Sequence, residues 1–281
     1  MNNPPDLNQL KQFAKEVRRD IVNMTTEAGS GHPSSSLSAV EALTALYAGG
    51  IMRHDPKNPH WPERDRFILS KGHAAPVLYA VLAECGYFPK DWLHTLRKLD
   101  SPLEGHPNMC KLAGVEASTG SLGQGLSLGI GHGLAGRLDK KDYHVYVMIG
   151  DGESDEGQIW EAAMTAGKYK LSNLVCIVDR NDFQQNASTA EIMPSLEPLA
   201  DKWRAFDWDV REIEGNNLEQ VLGALREVKG ARDKPQCLIA HTVKGYGVHY
   251  LADNPANAHF HGIPLPKDQL AQALKDIDNM P

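Results

Sequence analysis

What the sequence lacks narrows its possible roles first. The four cysteines, Cys85, Cys110, Cys176 and Cys237, lie far apart and form no C-x-x-C pair. A disulfide framework or a zinc knuckle is therefore not expected, and a reduced, cytoplasmic protein is. No stretch approaches the roughly 20 consecutive apolar residues of a membrane span. The opening MNNPPDLNQL has neither a cationic lead nor an apolar run, so it does not read as a signal peptide. Lys and Arg form no cluster, and the formal net charge is −7, which argues against a nucleic-acid partner. No G-x-x-x-x-G-K-S/T occurs, which excludes a nucleotide P-loop. Internal repeats, low-complexity tracts and linkers are also missing, so all of residues 1–281 read as one domain.

What is there suits a packed globular core: 41% hydrophobic and 23% charged residues over 281 positions. Leu7, Leu10, Phe13, Ala14, Val17, Ile21 and Met24 recur at helical spacing and predict an opening amphipathic helix. It stops at the Gly-rich segment EAGSGHPSSS, where Ser34 to Ser36 are expected to cap a second helix through Leu37, Val40, Leu43 and Leu46. A short strand, Phe67 to Leu69, then the tight segment SKGHAA and a helix through Val77, Leu78 and Leu82 follow. From residue 142 four apolar, β-branched runs stand out: Tyr143–Ile149, Leu174–Val178, Asp209–Ile213 and Cys237–His241. The segments WEAAMTAGKY, LEPLADKWRAF and LEQVLGALREV read as helices between them, and Lys267 to Ile277 as a terminal helix. Such alternation implies an α/β fold, a doubly wound, mainly parallel sheet with helices on both faces. Ligands of these sheets bind beyond the carboxyl ends of the strands, here the loops beginning at Gly150, Asp179 and Thr242.

One of those loops carries a chemical pattern. The run Tyr143–Ile149 leads straight into GDGESDEG, and the next strand ends in VDRND, which places Asn181 thirty residues after Asp151. Parallel neighbours of this length bring Asp151 and Asn181 to one sheet edge. A carboxylate and an amide oxygen suit Mg²⁺, which takes hard oxygen ligands and keeps positions for phosphate oxygens and water. Gly150 and Gly152 let backbone pass close to a diphosphate, and the following helix start offers free N–H groups to an anion. Taken alone, GDG after a strand is a common turn and Asn181 a common cap; the pairing of the two gives the pattern its meaning. STGSLGQGLSLGIGHG has the glycines of a dinucleotide fingerprint but no preceding strand.

GDG followed some thirty residues later by Asn at the next strand's end resembles the motif shared by thiamine-diphosphate enzymes. AGSGHP at 28–33, DRFILSKGHA at 65–74, EGHP at 104–107, GVEASTGSLGQG at 114–125 and HFHG at 259–262 resemble transketolase segments, in family order, over residues 10 to 265. The resemblance implies the family's diphosphate-binding domain, with thiamine diphosphate and Mg²⁺ (or Ca²⁺ or Mn²⁺) as cofactors. By similarity Asp151, Asn181 and the backbone carbonyl of Phe183 hold the metal, and Gly152 and Asn181 touch the diphosphate. Gly120, Ser121 and Leu122 pass beside the aminopyrimidine, and Glu156 resembles a buried acid near the dimer interface. His32 and His261 are assigned to substrate hydroxyls and proton transfer, His73 to the cofactor side, and His106 to the donor's terminal hydroxyls. Histidine, titrating near neutrality, suits proton transfer in both directions. Lys71 and Lys244 either neutralise the diphosphate or are structural. A zinc site from His259 and His261 lacks further soft ligands nearby.

The same resemblance marks what is missing. In the family a glutamate of a second, pyrimidine-binding domain activates the cofactor, and this sequence stops at Pro281, after the HFHG segment and one helix. The expectation is a subunit rather than a fragment, active only with a C-terminal partner chain carrying that glutamate, as a heterotetramer with two of each. The expected reaction transfers a two-carbon ketol unit from a ketose phosphate to an aldose phosphate. Alternatives are a subunit of a 2-oxoacid dehydrogenase, against which the four histidine loops argue, or a non-catalytic cofactor-binding subunit.

Overall fold

The strands follow from the β-branched runs, and their register decides what meets at the sheet edge. In the computed structural model, which describes residues 6–230, 233–253 and 260–281, three helices come first. They are α1 (Leu7–Ala28), α2 (Pro33–Leu37) and α3 (Val40–Tyr47), followed by β1 (Arg66–Leu69), α4 (Ala75–Glu84) and α5 (Gln124–Leu138). Next are β2 (Val145–Gly150), α6 (Gly157–Tyr169), β3 (Leu174–Arg180), a small hairpin of β4 (Phe183–Gln184) and β5 (Ala187–Ser188), and α7 (Thr189–Ile192). The chain continues through α8 (Leu199–Ala205), β6 (Asp209–Glu214), α9 (Leu218–Lys229), β7 (Gln236–His241), α10 (His249–Ala252) and α11 (Leu270–Asp278).

Five strands form one sheet in the order β1-β2-β3-β7-β6, and every neighbouring pair is parallel. Alternate strand residues feed two separate cores. Phe67, Leu69, Tyr146, Met148, Val175, Ile177 and Leu238 pack with α1, α3, α4 and α9 on one face. Ile68, Val145, Val147, Ile149, Cys176, Val178, Cys237 and Ile239 pack with α5, α6 and α8 on the other. This is the expected doubly wound α/β arrangement, and the period of two is the reason β1, β2, β3 and β7 are buried on both sides, while edge strand β6 is only partly covered. Each fully buried aliphatic side chain contributes about 1.5–3 kcal/mol by area.

Most expected helices form, with boundaries set by caps. Asp6 and Gln9 close a capping box at the start of α1, through bonds of 2.8 and 3.0 Å, and Gly29 (φ 60°) ends it in the left-handed conformation. The single helix expected after Ser34–Ser36 is instead two, α2 and α3. Ser34 to Ser36 lie inside α2, which begins with Pro33 after His32, and no side chain caps α3. Leu196 to Phe206 is likewise interrupted, because Pro198 has no N–H to continue a helix, and α8 starts at Leu199. Lys267–Gln269 is a 3-10 turn leading into α11.

The helix α5 was not apparent from residue pattern, since it carries five glycines, at 125, 129, 131, 133 and 136. Its glycines are explained by packing. A Cβ at Gly129 would overlap Val147 Cγ2 of β2, one at Gly125 would overlap Ser70, and one at Gly136 would lie 2.9 Å from the Tyr143 ring. Gly131, by contrast, faces open space. Gly129→Ala is therefore expected to destabilise the fold by about 1–3 kcal/mol through overpacking. Gly131→Ala should stabilise it by about 0.5–1 kcal/mol through helix propensity. Urea unfolding of the two variants checks the pair; equal effects would contradict the close approach of α5 to the sheet.

Candidate functional site

The carboxyl ends of β2, β3 and β7 are level with one another. Gly150 pairs with Asp179, and Asp179 with Ala240, so the loops after Gly150, Arg180 and His241 emerge along one rim. Asp151 and Asn181 meet there as the spacing requires. One Asp151 oxygen accepts the backbone N–H of Gly152 at 2.9 Å, and the other accepts that of Asp182 at 2.7 Å. Asp182 adopts φ 63°, the turn that swings Phe183 back toward the rim. Asn181 donates its amide N–H to Asp179 at 3.2 Å, and its Oδ1 accepts from the Phe183 N–H at 3.2 Å. Gly152 is needed for close approach, but the near neighbour is Gln184 of the hairpin, whose Cγ lies 2.8 Å from the position of a Cβ.

Beneath the rim, Asp179 is fully buried and ion-paired with Lys71. It also accepts from Ser38 at 2.7 Å and Thr242 at 2.5 Å. Burial alone would raise its carboxyl; Lys71, together with Thr242 and Ser38, outweighs that and holds it below the usual range. Lys71 further donates to the Ser35 carbonyl at 3.0 Å, so its ammonium is anchored inward. Lys244 is buried with its Nζ 4.8 Å from the Phe183 ring centre, and burial, with Lys71 nearby, lowers it to about 8. Asp151 is pushed up to about 7 by burial and then by Asp179, its backbone donors offsetting only part. A buried carboxylate so placed is short of positive charge. Together with the Asn181 amide oxygen nearby it offers hard oxygen donors of the kind a divalent cation such as Mg²⁺ takes.

Three histidines converge above this rim. His32, His73 and His261 form a triangle with ring centres 5.1, 5.1 and 5.2 Å apart. Each comes from a different loop. His32 follows Gly31 (φ 129°) and precedes the Pro33 start of α2, while His73 sits in the 3-10 turn Gly72–Ala74. His261 belongs to the segment whose Gly262 (φ 76°) would place a Cβ 3.1 Å from His32 Nε2. The fourth, His106, is exposed and lies against Gly120 (φ 155°), where a Cβ would be 3.1 Å from its ring. Tyr79 fixes that loop by donating to the carbonyls of Glu104 and His106 at 3.0 and 3.1 Å. Gly72 lets its turn touch the backbone of Thr119 and Gly120, with a Cβ position only 2.8 Å from the Gly120 nitrogen. Gly120, Ser121 and Leu122 thus run between His106 and the start of α5. His259 lies outside the described residues, and with it the paired arrangement with His261.

Glu156, which the resemblance sets near a dimer interface, is exposed on this single chain, at the residue preceding α6. Besides Asp151, this loop buries a second acid, Glu153, which residue-by-residue reading passed over. It accepts from Ser70, from Gly123 N–H at 2.9 Å and from Gly150 N–H at 3.1 Å, tying three loops together. Only its place inside GDGESDEG could have flagged it.

The histidines are held neutral. Burial, followed by the charge of His261, lowers His32 to about 3; burial and then Lys244 lower His261 to about 4; and burial takes His73 well below its usual value. An unfolded histidine protonates near 6.5, so below that pH the unfolded chain binds the proton that folded His32 refuses until about 3. Stability from this group is therefore lost as the pH falls through 6.5. Asp151 works in the opposite sense, because the folded state takes up its proton as the pH falls through about 7. His32→Asn should lose less stability than the unaltered chain between about pH 7 and about pH 5, by on the order of 1 kcal/mol. Urea unfolding at the two pH values measures this; equal losses would contradict a neutral, buried His32.

Comparison with known proteins fits the geometry. Residues 9–279 match the family described as transketolase, thiamine diphosphate binding domain. The chain is 43% identical over 269 residues to the 6-deoxy-6-sulfo-D-fructose transketolase subunit SqwG of Clostridium sp., covering 96% of each. It is 43% identical over 268 residues to an apulose-4-phosphate transketolase subunit of Phocaeicola vulgatus, covering 95% of this chain and 93% of that protein. Against the transketolase of Rattus norvegicus it is 42% identical over 275 residues, 96% of this chain but 42% of the rat protein. The solved transketolase of Campylobacter jejuni superposes with a TM-score of 0.90 at 30% identity, over 98% of this chain and 44% of that one. A parallel sheet whose rim gathers Asp151, Asn181 and three neutral histidines, and this likeness over nearly the full chain, lead to one assignment: the chain belongs to the transketolase family, as its thiamine-diphosphate-binding domain.

Proposed function

We propose that this chain, acting as a single diphosphate-side domain, is one subunit of a two-chain transketolase that needs thiamine diphosphate and Mg²⁺. It transfers a two-carbon ketol unit from a ketose phosphate to an aldose phosphate. The observation that carries the reading is the triangle of neutral imidazoles beside the carboxylate rim of β2 and β3. Relatives of nearly the same length are named as transketolase subunits, which supports a partner chain; in this reading the partner supplies the pyrimidine-binding side and the assembly holds two of each chain. No described helix is long and apolar enough to cross a membrane.

Asp151, Asn181 and the Phe183 carbonyl are the residues that would hold the metal, with Gly152 and Asn181 toward the diphosphate and Gly120 to Leu122 toward the aminopyrimidine. Bound thiamine diphosphate would supply the carbanion chemistry that breaks and makes the carbon–carbon bond. The chain's own residues orient the sugar and move protons. A neutral imidazole accepts a proton from a ketose hydroxyl as the bond breaks and returns it to the acceptor's carbonyl oxygen as the new bond forms. In His32, Nδ1 is buried, which leaves Nε2 as the nitrogen to meet a hydroxyl. His261 shares that work, His73 stands on the cofactor side and exposed His106 meets the donor's terminal hydroxyls.

Reconstituted with its partner chain, the protein should exchange a ketol unit between sugar phosphates, and this chain alone should not. His32→Ala or His261→Ala should lower kcat by roughly 10²–10⁴-fold in that exchange assay. Turnover unchanged by both substitutions would favour the non-catalytic reading, and decarboxylation of a 2-oxoacid in place of exchange would favour the dehydrogenase one. Asp151→Ala should abolish the Mg²⁺-dependence of thiamine diphosphate binding, followed by calorimetry.

A further inference from the structure

Arg180 sits between Asp179 and Asn181, yet its side chain serves neither directly. It is the last residue of β3, so it points to the opposite face of the sheet from Asp179. There its guanidinium, largely buried, reaches three other segments. Nε and Nη2 both donate to one Glu197 oxygen, at 3.0 and 2.6 Å, and the other Glu197 oxygen accepts the Leu199 N–H at the start of α8. Nη1 lies 2.9 Å from His241 Nδ1 and 3.5 Å from a carboxylate oxygen of Asp182. A guanidinium has no acceptor atom, so Nδ1 is the bare nitrogen of the His241 ring. The ring proton is then on Nε2, 3.1 Å from Glu212 of edge strand β6.

These contacts converge on the turn beside the candidate metal ligands. Asp182 is held at φ 63°, and its N–H supplies one of the two backbone bonds to Asp151. A residue with a side chain visits that conformation rarely and stays there only where its surroundings fix it. The Thr189 N–H, bonded to the Asp182 carbonyl at 2.9 Å, holds one side of the turn. Arg180 holds the other through the Asp182 carboxylate, and it anchors the strand end to His241, its register partner on β7. Asn181 is therefore flanked twice, by Asp179, which takes its amide N–H, and by the residue that braces the turn after it. Burial opposes the charge of this guanidinium, but Glu197, Asp182 and Asp151 outweigh it and hold Arg180 above the usual arginine range.

We propose that Arg180 is a positioning residue for divalent-cation binding, bracing the Asn181–Asp182 turn so that Asn181 and Asp151 keep the arrangement seen at the rim. It acts through the turn and not on the cation itself. This rests on the reading of the rim as a metal and thiamine-diphosphate site, and on Arg180's own contacts for the bracing. His241 and Glu197 are part of the device, since between them they engage Nε and both terminal nitrogens and leave the guanidinium little freedom to turn away from Asp182.

The test uses the complex reconstituted with its partner chain and thiamine diphosphate, titrated with Mn²⁺, whose free ion is followed by electron paramagnetic resonance. Arg180→Ala should raise the Mn²⁺ concentration for half-occupancy by roughly tenfold, the size expected when a group supporting a metal ligand is removed. At saturating Mn²⁺, kcat for ketol transfer should change by less than about twofold, because the residue acts on binding and not on the chemical step. Arg180→Lys keeps a charge beside Asp182 but not the fork, and should recover part of the affinity. Gly129→Ala, which strains the packing of α5 instead, should leave Mn²⁺ binding unchanged. The proposal is overturned if Arg180→Ala binds Mn²⁺ as the unaltered complex does, if Gly129→Ala weakens binding equally, or if the loss falls on kcat alone. Should Arg180→Ala fail to fold, Arg180→Lys carries the test: a smaller loss of affinity supports the proposal and unchanged affinity overturns it. Mn²⁺ binding without ketol transfer in the unaltered complex would sink the transketolase reading and leave the role of Arg180 standing, whereas no Mn²⁺ binding would sink both.

Discussion

The buried carboxylate of Asp179 is the point from which the site is organised. It sits at the end of β3, level with Gly150 of β2 and Ala240 of β7, and draws in Lys71, Ser38, Thr242 and Asn181. These partners come from the loop after β1, the segment joining α2 and α3, the loop after β7 and its own strand end. A charge taken fully out of water is costly unless it is paired and hydrogen-bonded. Satisfying this one group therefore fixes the relative positions of four segments at once. Breaking a buried pair of this kind costs about 3–5 kcal/mol, because the remaining charge is left uncompensated. The orientation of Asn181 follows too: its N–H points to Asp179, which turns its carbonyl oxygen the other way.

A second buried acid, Glu153, does similar work one layer out. By accepting from Ser70, Gly123 and Gly150 it locks the start of α5 and the end of β2 to the end of β1. The glycine contacts complete the arrangement, since Gly72 against Thr119 and Gly120, and Gly120 against His106, allow backbone to lie where side chains would not fit. The result is a group of imidazoles held neutral by burial and by the cations Lys71, Lys244 and Arg97 around them. A neutral ring is the form that can take a proton, and nearby positive charge keeps it in that form at ordinary pH.

How much of this was legible depended on whether the signal was local. The strands were, because β-branched apolar runs have few other uses, and the Asp151–Asn181 pairing followed once the strands were taken as parallel neighbours. The histidines were legible only as a set of motifs, since nothing in the spacing of residues 32, 73 and 261 says that three loops converge to within about 5 Å. Helix α5 was hidden because helix propensity counts its glycines against it, while the close contacts with Ser70 and Val147 that require them are long-range. Glu153 was not legible for the same reason: nothing along the chain says that this acid turns inward to the N–H groups of Gly123 and Gly150 and the hydroxyl of Ser70.

The sequence by itself determined the layered α/β architecture, the rim at which Asp151 and Asn181 meet, and the family, because apolar periodicity and short contiguous motifs are written along the chain. Tertiary structure alone decided that Lys71 serves Asp179, that the imidazoles are neutral, and that Arg180 reaches both His241 and Glu197. Burial, protonation and charge balance are set by what lies within a few ångströms in space, and the groups that set them here are separated by up to two hundred and more positions in the chain.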